Sequence, residues 1–117
     1  MQIVTDDYHV YYFPEQSRVI LGGIMRLDGL NSYQPILQLL LRAIESVPQE
    51  FTLDVQNLQF LNSSGLSMLL MFVVRLREQG RTHLTILGSQ SVSWQVKSLK
   101  NVRRLMPDMK LLLLPVS

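Results

Sequence analysis

The stretch Leu53-Asp54-Val55-Gln56-Asn57-Leu58-Gln59-Phe60-Leu61-Asn62-Ser63-Ser64-Gly65-Leu66 decides how the rest of the chain is read. Its opening, Phe51-Thr52-Leu53-Asp54-Val55, is short and rich in β-forming residues, which predicts a central strand. Residues Asn57 to Leu61 lead from it into small polar residues and then an apolar run from Leu66 to Leu76. Side-chain oxygens placed directly before such a run accept hydrogen bonds from the free amides of a helix start, so the pattern predicts strand, loop, capped helix. Gly80 supplies the stop.

Working outward, residues 8–13 and 18–25 are β-like runs joined by Pro14-Glu15-Gln16-Ser17, which predicts an antiparallel hairpin, and Gly22-Gly23 marks a bulge or close backbone approach. Asn31-Ser32 with Pro35 starts a helix whose apolar positions are Leu37, Leu40, Leu41, Ile44 and Val47, and Pro48 closes it. On the far side, His83 to Leu87 is a strand. Ser89 or Ser91 caps a third helix with Val92, Val96, Leu99, Val102 and Met106 on one face, ended by Pro107-Asp108. Met109 to Leu114 makes the last strand. The order β-β-α-β-α-β-α-β predicts an α/β fold: a mixed sheet of about five strands, parallel in its middle, under about three main helices.

The chain has 117 residues, 47% of them hydrophobic and 17% charged, which fits a single domain over 1–117. With no cysteine there is no disulfide scaffold, thiolate metal site or thiol nucleophile. The acidic, polar start has no signal-peptide pattern, and the longest apolar stretches are far short of a membrane span, so a cytoplasmic protein is expected. Charge is uneven. Residues 1–74 hold three basic against seven acidic residues, and residues 75–117 hold eight basic against two acidic. Lys97, Lys100 and Arg104 then form a basic face on the third helix, either a solvated surface or one that meets an acidic partner.

Convergent titratable groups are sparse. His9 and His83 stand apart without metal-ligand spacing, and no G-x-S-x-G elbow, Walker loop or G-x-G-x-x-G fingerprint is present, so no catalytic residues, metal or cofactor are assigned. What remains is a serine at a helix N-terminus, where free amides and the helix dipole favour an anion. Two readings stay open: Asn62, Ser63 and Ser64 are simple caps worth about 1 kcal/mol, or Ser63 carries a phosphate of about −1.5 to −2 charge. The helix adds a clue. Leu66, Leu69, Leu70 and Val73 can face the sheet, while Met68, Met71 and Phe72 make the run apolar around much of its circumference, either as core or as a partner patch beside Ser63.

The stretch from Leu53 to Leu66 resembles the signature of STAS domains, especially the anti-sigma-factor antagonists, whose strand–loop–helix carries an Asp-Ser-Ser-Gly-Leu motif. The resemblance implies that Ser63 is the serine phosphorylated by a partner kinase, that Ser64 is its neighbour, and that Gly65 and Leu66 open the helix. Asn62 departs from the pattern, since the family's usual residue there is Asp. Partner switching is the function implied. The unmodified protein docks through Asn62, Ser64, Gly65, Leu66, Met68 and Phe72 onto a serine kinase-type anti-sigma factor, phosphorylation of Ser63 opposes docking, and a cognate phosphatase resets the switch. On this view the chain is not an enzyme and needs no cofactor.

The alternative is an unphosphorylated STAS-type subunit or regulator of a membrane transporter, with the basic helix toward lipid or an acidic partner. A small-ligand sensor has no specific pocket residues to support it. Direct nucleic-acid binding is not expected, because the basic stripe lacks interleaved aromatics and a recognisable binding motif.

Overall fold

The computed structural model describes residues 1–45 and 49–115. Its strands are β1 (Gln2–Val4), β2 (Tyr8–Phe13), β3 (Arg18–Met25), β4 (Glu50–Leu61), β5 (His83–Ser89) and β6 (Lys110–Leu114). The helices are α1 (Gly29–Ser32), α2 (Gln34–Glu45), α3 (Ser63–Gln79) and α4 (Ser93–Arg103). The strands form one mixed sheet in sequence order. β1, β2 and β3 pair antiparallel, and β3 to β6 pair parallel. The α/β class and the alternating order match the expectation, with one strand and one short helix more.

The additional strand, β1, is three residues long, too short for a period-2 signal. It is set by the turn after it, where the Thr5 hydroxyl accepts from the amides of Asp7 and Tyr8. β4 is also longer than the predicted 51–55. Register shifts against β3 interrupt its alternation, so the buried positions fall at Phe51, Leu53, Val55, Leu58 and Leu61 rather than at every second residue. The Gly22-Gly23 pair sits at these shifts, and Gly23 has φ +92° with the Asp7 carbonyl packed where a side chain would begin.

Each parallel crossover steps the same way across the sheet, and right-handed connections then place all helices on one face. Burial agrees. Val10, Val19, Leu21, Phe51, Leu53, Val55, Leu84 and Ile86 are buried beneath the helices, and α3 packs between α2 and α4. On α2 the buried set is Ile36, Leu37, Leu39, Leu40, Ala43 and Ile44, with Leu41 half-buried. The expected Val47 and Pro48 lie outside the described residues.

α4 differs from its prediction in two ways. Its N-cap is Val92, with no side-chain bond, while the Ser89 and Ser91 hydroxyls bond each other at 2.8 Å. Val96 is exposed, and the inward position is taken by Gln95, which is fully buried. β4 and β5 stop pairing beyond Asp54 and Leu87. Gln95 fills the fork, donating to the carbonyls of Val55 (2.6 Å) and Leu58 (3.1 Å) and accepting from the Ser89 amide (2.7 Å). Trp94 beside it is half-buried and donates to Leu58 O at 2.7 Å. The diverging strands would otherwise bury unpaired backbone groups.

Candidate functional site

The C-terminal end of β4 delivers the chain directly into α3, and Asn62 makes the joint. Its Oδ1 accepts from the Gly65 amide at 3.0 Å and from the Tyr33 hydroxyl at 2.6 Å, and its Nδ2 donates to the Leu27 carbonyl at 2.9 Å. The expected cap therefore forms, and it does more than cap. It ties the helix start to the loop after β3 and to the base of α2. The donated bond needs an amide, so the Asn that departs from the STAS pattern performs a task a carboxylate cannot. Tyr33 is buried and finds a second acceptor in Met25 O at 3.2 Å. Desolvation raises its phenol pKa above the ordinary value, against a backbone hydrogen bond at Leu27 that lowers it.

Gly65 is needed for close approach. A Cβ there would run into the Leu61 side chain and lie 2.8 Å from the Tyr33 hydroxyl. With Asn62 half-buried and Gly65 buried, the first turn of α3 is clamped, and Ser63 is the residue of the motif that stands exposed. Among the described residues its hydroxyl has no hydrogen-bond partner.

Along α3 the structure corrects the expected partner patch. Met68 and Phe72 are fully buried, together with Leu69, Val73 and Leu76, and Phe72 meets Phe51 edge-on at a ring separation of 5.9 Å. They are core residues, because the sheet-facing arc of this helix is wider than the four positions assigned to it. The outward crest is Ser63, Ser67, Met71, Arg75 and Glu78, flanked by half-buried Leu66, Leu70 and Val74. Leu70, Met71, Val74, Arg75 and Glu78 line a shallow groove of about 300 Å³, and Met71 is 39% exposed. Met71 stands two turns beyond Ser63 and opposite the core arc. Tyr33 and Gln95 gave no sequence signal.

The basic face lies apart from this site. Lys97, Lys100 and Arg104 are exposed, and Lys100 and Arg104 join Arg103 and Pro107 around a depression of about 470 Å³ without Lys97. These residues flank the C-terminus of α4, where cations complement the helix dipole. Arg77, in the last turn of α3, donates to Leu105 O at 2.9 Å. No helix among the described residues is long and apolar enough to cross a membrane.

Among solved structures, the chain is similar to one in the crystal structure of diguanylate cyclase SiaD in complex with its activator SiaC from Pseudomonas aeruginosa. The TM-score is 0.75 at 12% identity, over 99% of each chain. It is also similar to SiaC of Pseudomonas aeruginosa, with a TM-score of 0.72 at 13% identity, over 99% of this chain and 98% of that one. The fold is shared with SiaC. That likeness runs through the whole sheet and is consistent with the STAS-type resemblance read from residues 53–66. No family model and no curated protein matches the sequence.

Proposed function

We propose that this chain is a non-catalytic, STAS-type partner-switching regulator that works in the cytoplasm and is controlled by phosphorylation of Ser63. The observation that carries the reading is a single exposed serine on a rigidly capped helix start, on the same side of the helix as exposed Met71 and half-buried Leu66, Leu70 and Val74. A partner reads Ser63, Leu66, Ser67, Leu70, Met71 and Val74 as one surface. A phosphate on Ser63 is tolerated by the fold, since it meets free amides and the positive end of α3. In a docked complex the same dianion must be desolvated against the partner, so modification releases it.

The partner that phosphorylates is a serine kinase, a kinase-type anti-sigma factor in the resemblance to STAS antagonists. The SiaC likeness supports a second reading of the output, in which the unmodified protein activates a signalling enzyme such as a diguanylate cyclase. Peptide mass spectrometry of the protein from its native cells, with Ser63→Ala alongside, tests the switch. A phosphoryl group on Ser63 that the variant lacks is expected, and an unmodified serine under both growth and stress conditions overturns it. Captured with Ser63→Asp and Met71→Lys, the partner is expected to bind at least tenfold more weakly to each. Its identity as kinase or cyclase separates the two outputs.

A further inference from the structure

The sheet has a second face that no helix covers, and it carries aromatic and apolar side chains among its charged and polar ones. Register and alternation place Val4 on β1, His9, Tyr11 and Phe13 on β2, Arg18 and Ile20 on β3, and Glu50, Thr52 and Asp54 on β4 of this face. His83, Thr85, Leu87 and Ser89 on β5, Lys110, Leu112 and Leu114 on β6 and Gln2 on β1 complete it. The aromatic side chains of β2 stack in a row, His9 on Tyr11 at 5.0 Å and Tyr11 by Phe13 at 6.4 Å. Above them Ile24 and Phe60 pair at the strand ends, with the Arg26 guanidinium 4.8 Å from the Phe60 ring centre. Among the described residues, five of the eight exposed large hydrophobics, Val4, Ile24, Phe60, Leu112 and Leu114, lie here.

We propose that this face is the interface of a homodimer, two sheets packed face to face about a twofold axis parallel to the strands between β3 and β4. The two halves of the face are complementary under that operation. The axis lays β2 of one copy over β5 of the other, which sets the aromatic row on Leu87. It lays β1 over β6, so Gln2 lies at the level of Leu112 and Val4 toward Leu114. It also lays β3 over β4, so the Arg18 guanidinium faces Glu50 and Asp54 of the second copy. The charged side chains of β3 and β4 lie beside the axis and pair across it, and the apolar contacts lie on either side of them. Asp54 is already buried, and its carboxylate accepts from the backbone amide and the side-chain amide of Gln56, so its oxygens keep hydrogen-bond partners when the face is covered.

Size fits a reversible dimer. Six strands about 4.8 Å apart and about 18 Å long present roughly 500 Å² each, so two copies bury roughly 1,000 Å², the lower bound for a specific interface. The helices lie on the opposite side of the sheet, so the dimer leaves Ser63 and Met71 free, and this inference stands whether or not Ser63 is a switch.

Sedimentation equilibrium of the full chain at about 100 µM is expected to give the mass of two chains, dissociating on dilution. Leu112→Lys with Leu114→Lys, both exposed edge-strand positions, is expected to weaken the dimer at least tenfold while leaving the urea midpoint of the monomer in place. Because the chain has no cysteine, single cysteines report the geometry. Thr52→Cys, beside the axis, is expected to join two chains through a short bismaleimide, and Met71→Cys is not. A wild-type monomer at about 100 µM overturns the proposal. So does a dimer indifferent to the two lysines, or one cross-linked through residue 71 rather than 52.

Discussion

Replacing Asn62 in two ways separates the roles its amide plays. Asn62→Ala removes the acceptor that caps the Gly65 amide, worth about 1 kcal/mol, and the donor to Leu27 O, worth about another 1 kcal/mol. Tyr33 keeps a partner, since its hydroxyl also reaches Met25 O at 3.2 Å, so no third loss is added. The expected cost is about 2 kcal/mol, close to 8 °C in Tm for a chain of this length. Asn62→Asp retains both accepted bonds but turns an oxygen toward the Leu27 carbonyl, 2.9 Å from the present Nδ2. It therefore loses the donated bond and gains a like-charge contact, partly offset by a carboxylate at a helix N-terminus, worth about 0.3–1 kcal/mol. Urea denaturation at neutral pH is expected to order the three proteins as wild type, Asp, Ala, in steps of about 1 kcal/mol with a common m-value. An Asp variant as stable as wild type would refute the reasoning, because the donor to Leu27 would then carry nothing.

Gln95→Leu fills the same volume but leaves the Val55 carbonyl and the Ser89 amide without their partner, and is expected to cost about 3 kcal/mol in urea denaturation. Tyr33→Phe is expected to cost about 1 kcal/mol at neutral pH. Because burial raises the Tyr33 pKa above 10.0, the folded state holds that proton longer than the unfolded chain. Wild-type stability is therefore intact below the ordinary tyrosine range and falls as pH rises above it, and the Phe variant should show a flatter alkaline limb in thermal melts. Gly23→Ala places a side chain at φ +92° against the Asp7 carbonyl. Calorimetry is expected to show it more than 1 kcal/mol less stable, and an unchanged Tm would count against the bulge as the fixed point of that register.

Most of the fold was legible because its periods are strong. The apolar positions of α2, the cap before α3 and the alternation of β5 each follow from spacing alone. What escaped the sequence was set by tertiary fit. β1 is too brief to show a pattern, β4 hides its second half behind bulges, and α4 begins on Val92 because Gln95, not a serine, satisfies the neighbouring backbone. The candidate site was half legible. Ser63 and Asn62 were marked by their place before an apolar run, but on a helix apolar all round, hydrophobicity could not tell Met68 and Phe72 from Met71. Only the sheet's position decides that, and it turns the first two inward.

That distinction also says how the proposed switch must act. The residues around Ser63 are held by bonds from three elements, through Leu27, Tyr33 and Gly65, and the helix behind it is anchored by Met68, Phe72 and Leu76 in the core. A phosphate arriving on such a frame has little to rearrange, because packed interiors yield in discrete steps rather than continuously. In the proposed switch its leverage lies instead in charge: a dianion appears on the side of α3 that carries Leu66, Leu70, Met71 and Val74, from which a docked partner would exclude water. The scaffold thus separates two tasks that a flexible loop would mix. Asn62, Tyr33 and Gly65 fix where the serine stands, and on the proposed reading Ser63 with Met71 sets what docks there.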